Sequence, residues 1–227
     1  MRGLLRWLLV LAVPVVLTMT VVRLLTMGWY PAFEYARPGF PDDPFGLPAE
    51  ARLELAQATI RFLNLPGRSD ILDDLRLPDG SAAYNARELD HMDDVKVVYD
   101  GLTLFAAALL VGAAAAAVAL VRRGARCVVW TALAQGGVLT LGILLSLAVW
   151  MVVGFDAFFT AFHGLFFQSG TWVFAYSDTL IRLFPLPFWQ DAGLIVAGTV
   201  SLPAVGLVVG GWWGHRRCQL REKGDTV

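Results

Sequence analysis

Long apolar runs alternate with semi-polar stretches along this chain, and four of the runs are long enough to cross a bilayer. A hydrocarbon core about 30 Å thick takes roughly 20 helical residues. The runs cover about residues 4–27, 102–121, 128–155 and 192–213, and the second ends in AAALLVGAAAAAVALV. Trp29, Trp150, Trp189, Trp212 and Trp213 fall near run ends, where indole rings favour the interface. The pattern predicts an all-α integral membrane protein of four transmembrane helices. Two extracytoplasmic semi-helical segments, about 28–101 and 156–191, form a cap or re-entrant region, and the whole of 1–227 is one membrane domain. The first run follows Arg2 and Arg6 as a signal peptide would, but it is too long and lacks a small-x-small cleavage site, so it reads as a retained anchor. Arg23, near its outer end, can snorkel.

The first outer segment opens with Pro31, Pro38, Pro41, Pro44 and Pro48, a density that predicts no regular helix. Residues 49–64 have helical spacing, with Leu53, Ala56, Ile60 and Leu63 on one stripe, and Pro66-Gly67 ends them. A short helical turn is expected over 71–75, then a chain reversal at Pro78-Asp79-Gly80. Asn85 followed by Glu88 matches a capping box. The helix it starts runs through Tyr99 and can continue into the second span. One face of it carries Glu88, Met92, Val95, Val98 and Tyr99, with His91 on that apolar side. Asp90, Asp93, Asp94 and Asp100 take the other face. The second outer segment is dense in aromatics but broken by Gly164, Gly170, Pro185 and Pro187. It reads as a pair of short re-entrant or interfacial helices. Asp156, Phe159, Thr160, His163 and Phe167 share a face of the first. Irregular backbone at that depth needs protein cover or a wet cavity.

Composition narrows the class. Of 227 residues 57% are hydrophobic and 16% charged, which excludes an ordinary soluble domain and a disordered chain. The net charge of −1 says little, but its distribution says more. Arg2 and Arg6, then Arg122, Arg123 and Arg126, then His215, Arg216, Arg217, Arg221 and Lys223 flank the runs on what must be one side of four alternating helices. Basic flanks mark the cytoplasm. Both termini are therefore cytoplasmic, and both semi-polar segments lie outside. Cys127 and Cys218 sit in basic segments without paired or ligand spacing, so neither a structural disulfide nor a zinc site is expected.

Candidate chemistry rests on two imidazoles. His91 and His163 share the outer face, each turned toward apolar partners, and an imidazole carries protons near neutral pH. His215 belongs to the basic cluster. Asp93, Asp94 and Asp100 read as a solvated face, and Glu88 as a cap. Asp178 and Arg182 read as an i,i+4 ion pair. The phenylalanines at 158, 159, 162, 166 and 167 read as packing and lipid contact. No phosphate loop, HExxH, GxSxG or nucleotide fingerprint is present, and neither Ser169 nor Ser177 has elbow spacing. In an enzyme of this make-up the nucleophile belongs to the substrate.

The stretches ELDHMDDVK at 88–96, FHGLFF at 162–167 and DTLIRLFPLPFW at 178–189 resemble the bacterial lipoprotein intramolecular transacylase (Lit) family, as does the four-span layout. The resemblance covers most of the chain and is weak over 31–80. It implies an acyltransferase of the bacterial cytoplasmic membrane. Its reaction moves the sn-2 acyl chain of a diacylglyceryl-cysteine to the α-amino group of the same cysteine, leaving a lyso-form lipoprotein. It implies His91 and His163 as the catalytic pair. Glu88, Asp93, Asp178, Arg182, Trp172 and Tyr176 are supporting or substrate-binding candidates. No cofactor, metal, nucleic acid or obligate protein partner is expected; the partners are the diacylated lipoprotein and membrane lipid. Two other readings remain. One is a metal-dependent membrane hydrolase with His91, His163 and an aspartate as ligands. The other is a non-enzymatic lipid-binding or assembly protein.

Overall fold

Every regular element of the computed structural model, which describes residues 1–67 and 70–224, is helical. Lys223 of the basic C-terminal cluster lies outside the described side chains, which end at Arg221. The helices are α1 (Arg2–Leu25), α2 (Trp29–Tyr35), α3 (Ala49–Asn64), α4 (Ala86–Arg122), α5 (Arg126–Val153), α6 (Phe155–Phe166), α7 (Thr179–Leu183) and α8 (Leu186–Gly224). Four of them, α1, α4, α5 and α8, are long and apolar enough to cross a membrane. The chain divides into two compact units.

The first unit contains Met1–Val21, Leu102–Val153 and the chain from Leu194 onward. Lipid tails are as apolar as leucine, so helices here associate through close backbone approach at small residues. Adjacent glycines of α5 show this in two directions. A Cβ on Gly136 would meet Val13 of α1 at 2.7 Å, and one on Gly137 would meet the Ala204 carbonyl oxygen of α8 at 2.6 Å. Gly211 of α8 lies as close to the Trp130 carbonyl. Arg6 donates from Nε to Gln135 Oε1 at 3.1 Å, which satisfies a charged group among apolar helices. A disulfide joins Cys127 to Cys218, with 5.7 Å between their Cα atoms. This overturns the expectation that the two thiols are unpaired. The partners are 91 residues apart, and only the antiparallel pairing of α5 with α8 brings them together.

The second unit contains Val22–Gly101 and Gly154–Gly193. The capping box at the start of α4 forms as its spacing predicts. The Asn85 N–H donates to Glu88 Oε2 at 2.9 Å, and the Glu88 N–H donates to Asn85 Oδ1 at 3.1 Å. The helix then runs unbroken for 37 residues, about 55 Å at 1.5 Å per residue. Its charge-free stretch 102–121 is the part suited to hydrocarbon, and the charged turns 86–101 precede it. One reading of the proline-rich loop is corrected: α2 is a helix despite Pro31. Pro31 stands in its first turn, where a missing N–H loses no intrahelical bond. Helix α3 has the expected bounds, but its buried face runs through Arg52, Leu55, Ala56, Thr59, Ile60 and Phe62. The expected turn at 71–75 is a single 3-10 turn at Asp70–Leu72. Pro78-Asp79-Gly80 makes the chain reversal, with Gly80 at φ 86 and its N–H bonded to the Leu77 carbonyl.

Arginines tie these pieces together. Arg52 is buried and donates to the Arg182 and Pro41 carbonyls while its guanidinium lies over the Tyr35 ring. Arg182 holds Asp43 of the proline-rich loop in a two-pronged ion pair at 2.9 and 3.1 Å. The i,i+4 pairing of Asp178 with Arg182 expected from the sequence therefore gives way to these partners. Lys96, buried on α4, donates to the Leu63 and Leu65 carbonyls and so closes the C-terminal end of α3.

Candidate active site

The two histidines meet. Their rings are inclined by 25° with centroids 6.2 Å apart, one from α4 and one from α6 of the second unit. Helix α4 presents His91 because it lies on the buried stripe of Glu88, His91, Met92, Lys96 and Tyr99, spaced for one helical face. His91 keeps 8% of its surface exposed. Phe167 packs edge-on against it at 5.0 Å, and the tilted Phe174 ring lies at 5.3 Å. His163 is half-buried, with the tilted Phe159 ring at 3.9 Å and Trp172 at 4.8 Å, and Phe162 and Phe167 complete the enclosure.

The hydrogen-bond pattern fixes one tautomer. His163 Nδ1 lies 2.8 Å from the Phe159 carbonyl oxygen. A carbonyl only accepts, so Nδ1 carries the proton and Nε2 presents its lone pair. His91 Nδ1 is buried and has no hydrogen-bond partner, and the same holds for Trp172 Nε1. Burial disfavours the charged form of both imidazoles and holds both below the ordinary histidine range, and for His91 the neighbouring His163 adds to it. The pair is therefore neutral at pH 7 and resists taking up two further protons at once.

The other sequence candidates divide. Glu88 is fully occupied: besides the cap, its Oε1 accepts the Leu180 N–H at 2.8 Å. Asp178 accepts from Asn85, Arg87 and the Ala175 N–H. Arg87 also lies over the Phe174 ring that packs on His91. These bonds clamp the second outer segment to the first turn of α4, one turn before His91. Arg182 is committed to Asp43. Asp93 lines a separate cleft of about 360 Å³ with Asp70, Asp73 and Asp90. Tyr176 is 85% exposed. Sequence reasoning overlooked Arg87, Lys96 and Phe174; the only available signal for Lys96 was a lysine on the apolar stripe of α4. Among the described residues no group of three or more His, Cys, Asp or Glu is arranged to hold a metal ion.

Four helices long and apolar enough to cross a membrane, and in the second unit two imidazoles gathered among aromatic rings, fit a membrane-integral acyltransferase. The model of the lipoprotein intramolecular transacylase Lit family matches residues 6–189, and the chain belongs to that family. An uncharacterised protein of Aquifex aeolicus (strain VF5) is 29% identical over 197 residues, 87% of this chain and 88% of its own. In fold, the chain is similar to the membrane-integral lipoprotein intramolecular transacylase Lit from Bacillus cereus. The TM-score is 0.69 at 19% identity, over 98% of each chain. A histidine-to-alanine variant of that protein gives 0.70 at 17% identity, over 97% of this chain and 96% of that one.

Proposed function

We propose that this chain moves the sn-2 acyl group of a diacylglyceryl-cysteine lipoprotein onto the α-amino group of the same cysteine, with His91 and His163 carrying the proton. The observation behind this reading is the meeting of two imidazoles from distant segments inside one aromatic enclosure.

The amine nitrogen attacks the ester carbonyl carbon, and a tetrahedral intermediate forms. The nitrogen loses one proton to His163 Nε2, whose lone pair is set free by the bond at Nδ1. The carbon–oxygen bond to the glyceryl then breaks. Its oxygen takes up that same proton, relayed through His91, and the products are an amide and an alcohol. A neutral amine and an ester become a neutral amide and an alcohol, so one proton makes the round trip. A pair that starts neutral and tolerates one added proton suits that inventory. Amine and ester belong to one molecule, so the enclosure mainly has to fold them into a near-attack geometry.

The basic flanks of the helices support an orientation with both termini in the cytoplasm and the histidine pair outside a bacterial cytoplasmic membrane. That orientation puts the Cys127–Cys218 bridge on the side where glutathione keeps thiols reduced, an arrangement otherwise known from disulfide-rich hyperthermophile proteins.

The test is product identity. A diacylglyceryl lipopeptide with an isotope-labelled sn-2 chain is given to the purified protein in lipid, and the peptide is sequenced by mass spectrometry. The label is expected on the N-terminal amine with a lyso-glyceryl group on the thioether. Label released as free fatty acid would mean a hydrolase.

A further inference from the structure

A tetrahedral intermediate puts negative charge on the former carbonyl oxygen, and the two imidazoles do not account for it. In the proposed proton transfer His163 is the base and His91 the relay. An oxyanion needs a donor held in place before the reaction, away from water.

One donor near the pair is unspent. Buried tryptophan N–H groups normally find an acceptor. Even the more exposed Trp29 and Trp189 find one, the Leu24 carbonyl at 2.7 Å and the Phe184 carbonyl at 2.9 Å. Trp172 breaks this rule: its Nε1 is shielded from solvent and has no partner. Its ring lies 4.8 Å from the His163 ring and 6.2 Å from Phe159. A second orphan nitrogen, His91 Nδ1, belongs to the ring whose centroid lies 6.2 Å from that of His163. An indole donor and a ring nitrogen left unsatisfied near one base complement an ester carbonyl under attack by an amine.

We propose that the Trp172 indole N–H donates to the carbonyl oxygen of the migrating acyl group and stabilises the oxyanion. The indole transfers no proton; it holds the oxygen while the nitrogen–carbon bond forms and the carbon–oxygen bond to glyceryl breaks. This rests on the histidine-dependent acyl transfer proposed above. It makes Trp172 a catalytic residue rather than part of an apolar wall.

The test removes the N–H and keeps the ring. The full-length protein is made with the benzothienyl analogue at position 172, in which sulfur replaces the indole nitrogen, and separately as Trp172→Phe. Both are assayed in lipid beside His163→Ala. The expected result is a kcat lower by about 10²-fold in the sulfur analogue with KM nearly unchanged, because the lost bond strengthens only in the transition state. A lipopeptide phosphonate, which mimics the intermediate, is expected to lose affinity for that protein by a similar factor. Wild-type kcat in the analogue protein overturns the assignment, whatever Trp172→Phe does. So does a raised KM at unchanged kcat. Full activity in His163→Ala would instead overturn the histidine mechanism, so the two failures can be told apart.

Discussion

Glu88 and Leu180 are joined by a buried hydrogen bond of 2.8 Å from the Leu180 N–H to the Glu88 carboxylate. The same carboxylate caps α4 through the Asn85 N–H. One side chain thus sets the start of the helix that carries His91 and holds α7 of the segment that also carries His163.

Replacing Glu88 by alanine leaves these two donors without acceptors. Each orphaned buried donor costs about 1–3 kcal/mol. Glu88→Ala is expected to lower the melting temperature and to depress acyl transfer more than Glu88→Gln, which keeps an acceptor oxygen. Thermal unfolding in detergent and turnover on a lipopeptide check this. Equal activity for both variants would deny the clamp a role in placing the histidines.

The pH profile follows from the neutral pair. Both imidazoles are held below the usual histidine range, so their base forms persist through neutral pH. The stability they contribute as neutral groups is fully present above about pH 6.5 and is lost as pH falls through their lowered folded values. Activity is limited instead by the substrate amine, whose pKa is about 7.7–8.0. The rate at low substrate is expected to rise through that range and to shift with lipopeptides of altered amine pKa. A limb fixed near 6.5 for every substrate would contradict the pair's depressed basicity.

Gly137 of α5 faces the Ala204 carbonyl of α8 too closely for a Cβ. The atom it would meet belongs to the backbone, which cannot swing aside. Gly137→Leu is expected to destabilise the protein far more than Gly142→Leu, since nothing lies within 4 Å of a Cβ at Gly142. Comparing their melting temperatures and the fraction that stays monodisperse tests this.

Features set by local sequence were the legible ones. Apolar run length marked the four spanning helices. The Asn85–Glu88 spacing announced a capping box, because both partners lie within one turn. Helix α3 was bounded by its periodicity and by Pro66-Gly67. What depends on tertiary approach was not legible. The pairing of Cys127 with Cys218 needs two distant helices in register. The commitment of Arg182 to Asp43 needs the proline-rich loop folded back over α7. Both histidines could be picked out, but their 6.2 Å separation and the tautomer of His163 come only from the packing.

The most direct measurement is the rate of N-acyl lipopeptide formation by His91→Ala and by His163→Ala in lipid, followed by mass spectrometry, with folding of each variant verified by thermal unfolding. General acid–base help of this kind is worth about 10²–10⁴-fold. A loss of that size in both folded variants is the expected result. Near wild-type product from both would contradict a histidine-borne proton.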